Sequence, residues 1–409
     1  MSSRLIPTSP EDPSLDRPRI RAGIPVVWRS KHAVQVRLDP AYAVVVEGPD
    51  GRIGALISNL DGTRTRAEVI GDAAAAGVSE AVVGDVLAAL ASNGSLAHSS
   101  GDSSLLAQVD GDERRRLAPD LMASALTPGT GDALEIHRRR RHAHVEIRGT
   151  GRLGAALATN LAASGVGAIW VTDMGEGESP LVTPYDLTPG GPSSADLGSD
   201  RVTAIAVAAA RCRIGGDPSP GRRMRAKPGS STHGTTTHPR VRPDLVVRAT
   251  DALGDFPVVD PSWADELVSD GVVHLSSAVA GTAATIGPLV VPGASACLHC
   301  LDLNRRDRDP GWPHVVAASS QAARKLRRDG PAVSVALSSA AAAITAQQVL
   351  EYLDGYPSTA LATWNAVLLC RLPGPTLTRG SVGRHPQCGC AWGPPDRMSG
   401  SDQSQWAGE

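Results

Sequence analysis

Residues 142–173 read HAHVEIRGTGRLGAALATNLAASGVGAIWVTD, and this stretch decides the fold. A short apolar segment through Ile147 runs directly into Gly149-Thr150-Gly151-Arg152-Leu153-Gly154. An Ala- and Leu-rich helical run continues to Ser164, and a second apolar segment, Ala168 to Thr172, ends in Asp173. Strand, glycine turn, helix and strand in that order make one βαβ unit. The three glycines suit phosphate binding: Gly149 permits the tight turn, Gly151 lets backbone N–H groups approach a phosphate, and Gly154 lets helix and strand pack closely. The helix N-terminus adds about half a positive charge. Asp173, roughly 20 residues on, stands where an acid bonds a ribose hydroxyl. The competing reading is a glycine-tolerant turn that holds no ligand.

Outward from this unit, strands resume at Leu245 to Ala249 and Val272 to Leu275, and an Ala-rich helix, Ala332 to Tyr352, covers the sheet. The expected fold class is therefore α/β, a Rossmann-like doubly wound sheet. Asp251 follows the strand that ends in Thr250, at the carboxyl edge where open α/β sheets place ligands. It suits a magnesium or ribose contact, or equally a helix N-cap. Six cysteines are present, four of them in Cys297-Leu298-His299-Cys300 and Cys388-Gly389-Cys390. These two tight pairs supply the four sulfurs of a tetrahedral structural zinc, a closed site with no position left for water, which staples distant parts of the chain. His299 or His385 can replace a sulfur, and the bland alternative is a set of reduced surface thiols. Cys212 and Cys370 sit in apolar surroundings and read as core thiols.

The 409 residues allow two folded units. Aromatics are only 3 %, so Ala, Val and Leu must fill the core. A net charge of -2 gives no global pull toward nucleic acid or a membrane surface. The first 24 residues, rich in Ser, Pro and Arg, read as disordered and unlike a signal peptide, and thiol pairs without a disulfide pattern suit the cytoplasm. Val26 to Gln35 and Ala43 to Glu47 read as strands joined at Asp39-Pro40. Helical patterns follow at Arg66 to Ala76 and Ser79 to Asn93, then a return strand from Ser95, which makes 25–98 a winged-helix-like unit. A polar stretch over 99–128, with the charged run Asp110 to Arg116, reads as a linker with room for one short helix and precedes the main domain, 129–393. Two stretches, 175–199 and 215–242, read as mobile insertions, and 394–409 as a disordered tail. The second insertion holds Arg222, Arg223, Arg225, Lys227, His233 and His238, a solvated run to which no function is assigned.

Gly149 to Gly154, Asp173, Ala249-Thr250-Asp251, and Gly287-Pro288 leading to Cys297 and Cys300 together resemble the ThiF-type, or ubiquitin-activating-enzyme-like, adenylyltransferase family. The resemblance spans about His142 to Trp392. It implies that the glycine loop and Asp173 hold ATP, that Asp251 holds Mg2+, and that the C-terminal carboxylate of a ubiquitin-like or sulfur-carrier protein is adenylated. The family's second cysteine pair has two residues between its members, against one here. After Asp173 the family carries an Asn-Leu-Asn-Arg-Gln type segment, where this chain reads Val182-Thr183-Pro184-Tyr185-Asp186-Leu187, and Arg201 stands for the family's downstream lysine. These departures imply an eroded ATP site. The N-terminal unit (Trp28, Val34 to Leu38, Leu60-Asp61-Gly62-Thr63) and the phrase Cys300-Leu301-Asp302-Leu303 are similar to the leader-peptide-binding, cyclodehydratase-associated proteins of thiazole and oxazole peptide biosynthesis. That likeness implies a homodimer whose clamp adds a peptide as a strand at Val34 to Leu38 or its neighbour, and which presents it to a separate cyclodehydratase.

Overall fold

The computed structural model describes residues 16–97, 106–173, 180–213, 242–326, 332–374 and 376–391. The expectations of disorder over 1–15 and 394–409, the loop of 215–241 with its basic residues, and 175–179 lie outside these residues. The chain divides into two compact units, the first running through Arg141 and adding Glu351–Pro357, the second holding His142–Leu350 and the chain from Ser358 onward.

In the first unit, β1 (Arg19–Ile20) pairs antiparallel with β5 (Leu96–Ala97), while β2 (Val26–Ser30), β3 (Ala33–Val36) and β4 (Val44–Glu47) form a three-stranded antiparallel sheet with β3 in the centre. Between β4 and β5 come α1 (Arg52–Ser58), α2 (Arg66–Ala75) and α3 (Glu80–Ser92). The Thr65 side chain accepts from the Glu68 N–H, and the Glu68 carboxylate accepts from the Thr65 N–H, a reciprocal cap that starts α2. Val34, Val36, Ile57, Val83, Leu87 and Leu90 close the core between sheet and helices.

Three expectations need correction here. The segment 26–35 is a hairpin rather than one strand, turning at Lys31-His32. Residues 16–24 are ordered, since Ile20 N–H donates to the Leu60 carbonyl and Ile24 is buried. The stretch taken as linker carries α4 (Gly111–Ala125), capped by Asp110, and Leu106, Leu117 and Leu121 pack with Ala133, Leu134 and Ile136 of α5 (Ala133–His142). That shared core moves the unit boundary from residue 128 to 141. Arg140 of α5 is 1 % exposed and bonds both carboxylate oxygens of Asp354, at 2.8 and 2.7 Å, so its buried charge is neutralised within the unit.

The second unit is built on a mixed seven-stranded sheet in the order β12-β11-β10-β9-β8-β6-β7. Strands β6 (His144–Arg148), β7 (Ala168–Thr172), β8 (Leu245–Asp251) and β9 (His274–Ala280) run parallel. Strands β10 (Ala283–Val290), β11 (Ala366–Arg371) and β12 (Thr376–Ser381) continue the sheet antiparallel. Helix α6 (Arg152–Ala163) links β6 to β7 and buries Leu153, Leu157 and Leu161 completely. Next come α7 (Arg201–Arg211), α8 (Asp265–Ser269), α9 (Leu298–Arg308), α10 (Trp312–Leu326) and α11 (Val335–Leu353). Thr345 of α11 hydrogen-bonds Ser277 of β9 at 2.8 Å, which fixes that helix on the sheet.

The described part of the first expected insertion, 180–199, is built rather than mobile. Two short helical turns, Pro184–Asp186 and Ser194–Asp196, are each closed by a reciprocal cap, Thr183 with Asp186 and Ser193 with Asp196. The Val182 N–H donates to the Ser199 carbonyl and the Gly198 N–H to the Val182 carbonyl, closing the loop on itself. Among the described residues no helix is long and apolar enough to cross a membrane.

Candidate functional site

The strand order changes direction around β6, which has β7 on one side and β8 on the other. Loops leaving the carboxyl ends of β6 and β8 therefore face each other across the crevice where open α/β sheets bind ligands. Gly149, Thr150 and Gly151 leave β6 there, and Asp251 ends β8. The Gly149 N–H donates to the Thr172 carbonyl at 2.9 Å, so exposed Asp173 follows a residue tied to the glycine loop.

The glycines are demanded by this packing. A Cβ at Gly149, whose φ is +137°, would lie 1.8 Å from the Ala249 carbonyl oxygen of β8. A Cβ at Gly154 would lie 2.1 Å from the Gly149 carbonyl oxygen. At Gly151 the obstacle is a carboxylate, with Asp251 Oδ2 2.5 Å from the Cβ position. Asp251 accepts from the Arg152 N–H at 2.7 Å and the Leu153 N–H at 3.1 Å, the first two donors of α6. It thus satisfies two of the amides that a helix start leaves without intrahelical partners. Asp251 was weighed as the N-cap of a helix after its own strand; the N-cap position of α6 is Gly151, and the carboxylate reaches the first amides of that helix from the neighbouring strand.

Arg201 belongs to a second group. It opens α7, its N–H donates to the Pro180 carbonyl at 2.8 Å, and its guanidinium meets both Asp186 oxygens at 2.8 and 3.0 Å. Arg201 and Asp186 are 8 % and 6 % exposed. Asp186 was not singled out from the sequence, although the Thr183-x-x-Asp186 spacing of a capping box signals a placed carboxylate.

The third group is the four cysteines. Cys297 precedes α9, Cys300 lies in its first turn, and Cys388 and Cys390 approach from beyond β12. All four sulfurs lie within 4.8 Å of one another. Cys297 is 3.8 Å from Cys300 and 3.5 Å from Cys388, and Cys300 is 3.5 Å from Cys390. A tetrahedron of sulfurs about 2.3 Å from zinc has edges of about 3.8 Å, so the donor set fits. The single residue between Cys388 and Cys390 is enough. The hydrogen bond from Cys297, aided by the His385 N–H, pulls the Cys300 thiol down to about 4, while burial pushes Cys390 up to about 11. The cluster shares protons that a soft dication replaces. The His385 ring accepts from the Gln387 N–H at Nδ1 and meets Asp307 at Nε2, and His299 bonds Asp265 at 2.6 Å, so both imidazoles are engaged outside the group of four sulfurs. His385 bonds Asp307 at 2.8 Å, which orients the turn carrying Cys388.

A model of the ThiF family matches residues 130–390. Solved structures show the same architecture along nearly the whole chain. Escherichia coli MccB with AMPCPP and MccA has a TM-score of 0.64 at 16 % identity, covering 92 % of this chain and 99 % of that one. The microcin C7 biosynthetic enzyme MccB in complex with N-formylated MccA gives 0.62 at 16 % identity, covering 91 % and 99 %. PaaA gives 0.58 at 14 % identity, covering 88 % and 98 %. At these identities the likeness is one of fold. No curated protein matches the chain.

Proposed function

This chain belongs to the ThiF family, and on that premise we propose that it binds a peptide or small carrier protein through its N-terminal unit and presents it to a separate modifying enzyme, while its own ATP site is eroded. A cyclodehydratase is the partner class. The Arg201–Asp186 pair carries the argument. Adenylyl transfer gathers negative charge on phosphate oxygens, and a preorganised cation lowers its barrier by several kcal/mol. The cation offered for that role is buried and already neutralised by two carboxylate contacts, and Asp251 is committed to two amides of α6.

The peptide seat is an edge of the three-stranded sheet. The central strand, β3, is paired on both sides, so Val34 to Val36 cannot accept another strand; its neighbour β4, at an edge of the sheet, can. Hydrogen bonding of the Gly48 N–H to the His32 carbonyl sets the alternation of the β3–β4 ladder. It follows that the backbone groups of Val45 and Glu47 point away from β3. Val44 and Val46, half-buried beside α3, line that edge with apolar surface. Strand addition there would give affinity through main-chain hydrogen bonds and specificity through alternate side chains. MccA is held by the similar E. coli MccB.

The second reading is an active adenylyltransferase, favoured by the meeting of the glycine loop and Asp251 at the switch of strand order; MccB has also been solved with ATP. In that case Gly149, Gly151, Gly154 and Asp173 would hold the nucleotide, Asp251 the Mg2+, and ATP would supply the activating AMP group. A structural zinc on the four cysteines, homodimeric assembly and a cytoplasmic location complete either reading. Carboxylate-dependent exchange of pyrophosphate into ATP separates the two: none is expected, and exchange that Asp251→Ala abolishes would install the second.

A further inference from the structure

We infer that β2 is a second docking edge of the first unit, built around Trp28 and a basic hairpin, which takes an extended acidic segment of another polypeptide. The inference goes beyond the peptide seat on β4, because it concerns the opposite edge of the same sheet.

Strand β2 pairs with β3 alone. The Arg37 N–H donates to the Pro25 carbonyl at 3.0 Å, which fixes the alternation of the β2–β3 ladder. The backbone groups of Val26 and Trp28 therefore point away from β3. Pro25 has no N–H to offer, and the register shifts between Trp28 and Ser30, so the open edge is short and side chains must help to hold whatever pairs with it. Val27 and Trp28, on opposite faces of the strand, are 41 % and 45 % exposed.

The setting of Trp28 is not that of a core residue. A Cβ at Gly54 would lie 2.5 Å from its Cη2 and one at Gly51 3.4 Å from its Cζ3, so the indole lies against the start of α1. Glycine inside a helix costs about 1 kcal/mol relative to alanine. Here that glycine seats a ring that stays almost half in solvent. Tryptophans held in place but left open to solvent in this way are the residue type that most often anchors a protein interface.

Charge selects the partner. From Arg17 to Leu38 the sequence has no Asp or Glu. Arg29, Lys31 and His32 of the hairpin are exposed, and the His32 N–H donates to Ser30 Oγ at 3.1 Å, which firms the turn. The Lys31 carbonyl oxygen lies 2.5 Å from the Cβ position of Gly51, so the turn meets the same helix start as the indole. Asp50, the acid beside that start, is paired with Arg52 at 2.7 Å. An acidic strand laid along β2 meets the Arg29 and Lys31 charges, an indole, and the outward backbone groups of Val26 and Trp28. A nucleic acid would use the charges but leave the backbone edge unpaired.

The test titrates rhodamine-labelled peptides of alternating Glu-Val or Lys-Val repeats into the full chain, followed by anisotropy, with thermal melts of each variant. The native chain should bind the acidic peptide saturably, at least ten-fold more tightly than the basic one, and less tightly as salt rises. Arg29→Glu combined with Lys31→Glu should reverse that preference. Gly54→Ala, which favours the helix but pushes the indole from its seat, should weaken the acidic peptide several-fold with a melting temperature within a few degrees of the native value. Val45→Pro, on the other edge of the sheet, should leave it unchanged. No saturable binding by the native chain, or no effect of charge reversal, would overturn the inference. A loss confined to Val45→Pro would overturn it by returning the acidic peptide to β4. Tighter binding of a DNA duplex than of the acidic peptide, lost on charge reversal, would assign the hairpin to nucleic acid instead.

Discussion

His274 lies wholly inside the second unit, with Nδ1 2.9 Å from the Val272 carbonyl, to which it donates. Burial holds its imidazole down to about 4, far below the roughly 6.5 of an exposed histidine. Its contribution is therefore whole above pH 6.5 and drains away as the pH falls toward 4, because the unfolded chain takes up a proton that the folded one refuses. Between pH 7 and pH 5 this loss is about 2 kcal/mol. Urea unfolding at both pH values should show it in the native protein and not in His274→Asn. At Gly149 the constraint is steric rather than ionic. Gly149→Ala sets a methyl against the Ala249 carbonyl in a positive-φ backbone, and should cost at least about 3 kcal/mol. Gly254→Ala, with φ +105° and open space around it, is the control and should cost about 1 kcal/mol by denaturant unfolding. At this scale the sequence was informative where one residue type has few uses. Glycines in a strand-to-helix turn and close cysteine pairs declare their chemistry, whereas Asp251 permits several roles and its contact with α6 is not visible in the sequence. The capping-box spacing signals Asp186, but its pairing with Arg201 was illegible, since the two lie 15 residues apart and ion pairs have no fixed spacing outside a helix.

Elements differ in how their signals combine. The βαβ unit was readable because hydrophobic period, glycine turn and helix composition agree over 32 consecutive residues. Helix α4 was legible only as one short helix within a linker, because three arginines and an interior Pro119 dilute its apolar spacing, and packing on α5 is what makes its 15 residues favourable. The β2–β3 hairpin escaped because Ser30-Lys31-His32 lacks the Gly, Asn or Pro that usually marks a tight turn. Composition misled over 180–199 as well, where Pro, Gly and Ser suggest mobility but two caps impose order. An element-level prediction follows for the edge of β4. The Val45 N–H points away from β3, so Val45→Pro removes an edge donor while sparing the existing ladder. Peptides selected from a displayed library by the native chain should bind this variant at least ten-fold more weakly, with its melting temperature within a few degrees of the native value. Unchanged binding would move the peptide seat away from β4.

Across the whole molecule, the cysteine cluster ties residues 297–300 to 388–390 within the second unit. Zinc removal should then act on one unit only. A chelator strong enough to strip the metal, or Cys297→Ser, should lower the unfolding transition of the second unit by ten degrees or more and abolish a one-to-one zinc stoichiometry measured by atomic emission. The first unit, built on its own apolar core and the Arg140–Asp354 pair, should keep its transition. Two folded units were legible from length, but the boundary was read from the polar stretch 99–128, whereas the division after Arg141 and the return of Glu351–Pro357 to the first unit depend on contacts too distant in sequence to be seen there. The parallel pairing of β6 with β8 has a cost in time. Strand β6 joins β7 after a short crossover, but its other edge waits for β8, and the His144 amide finally meets Asp244, 100 residues further on. A ribosome adding about 5 to 20 residues per second leaves that apolar edge uncovered for about 5 to 20 s. During synthesis the nascent chain therefore carries a sticky half-sheet, and chaperone supply or slow translation will govern how much of it reaches the native state.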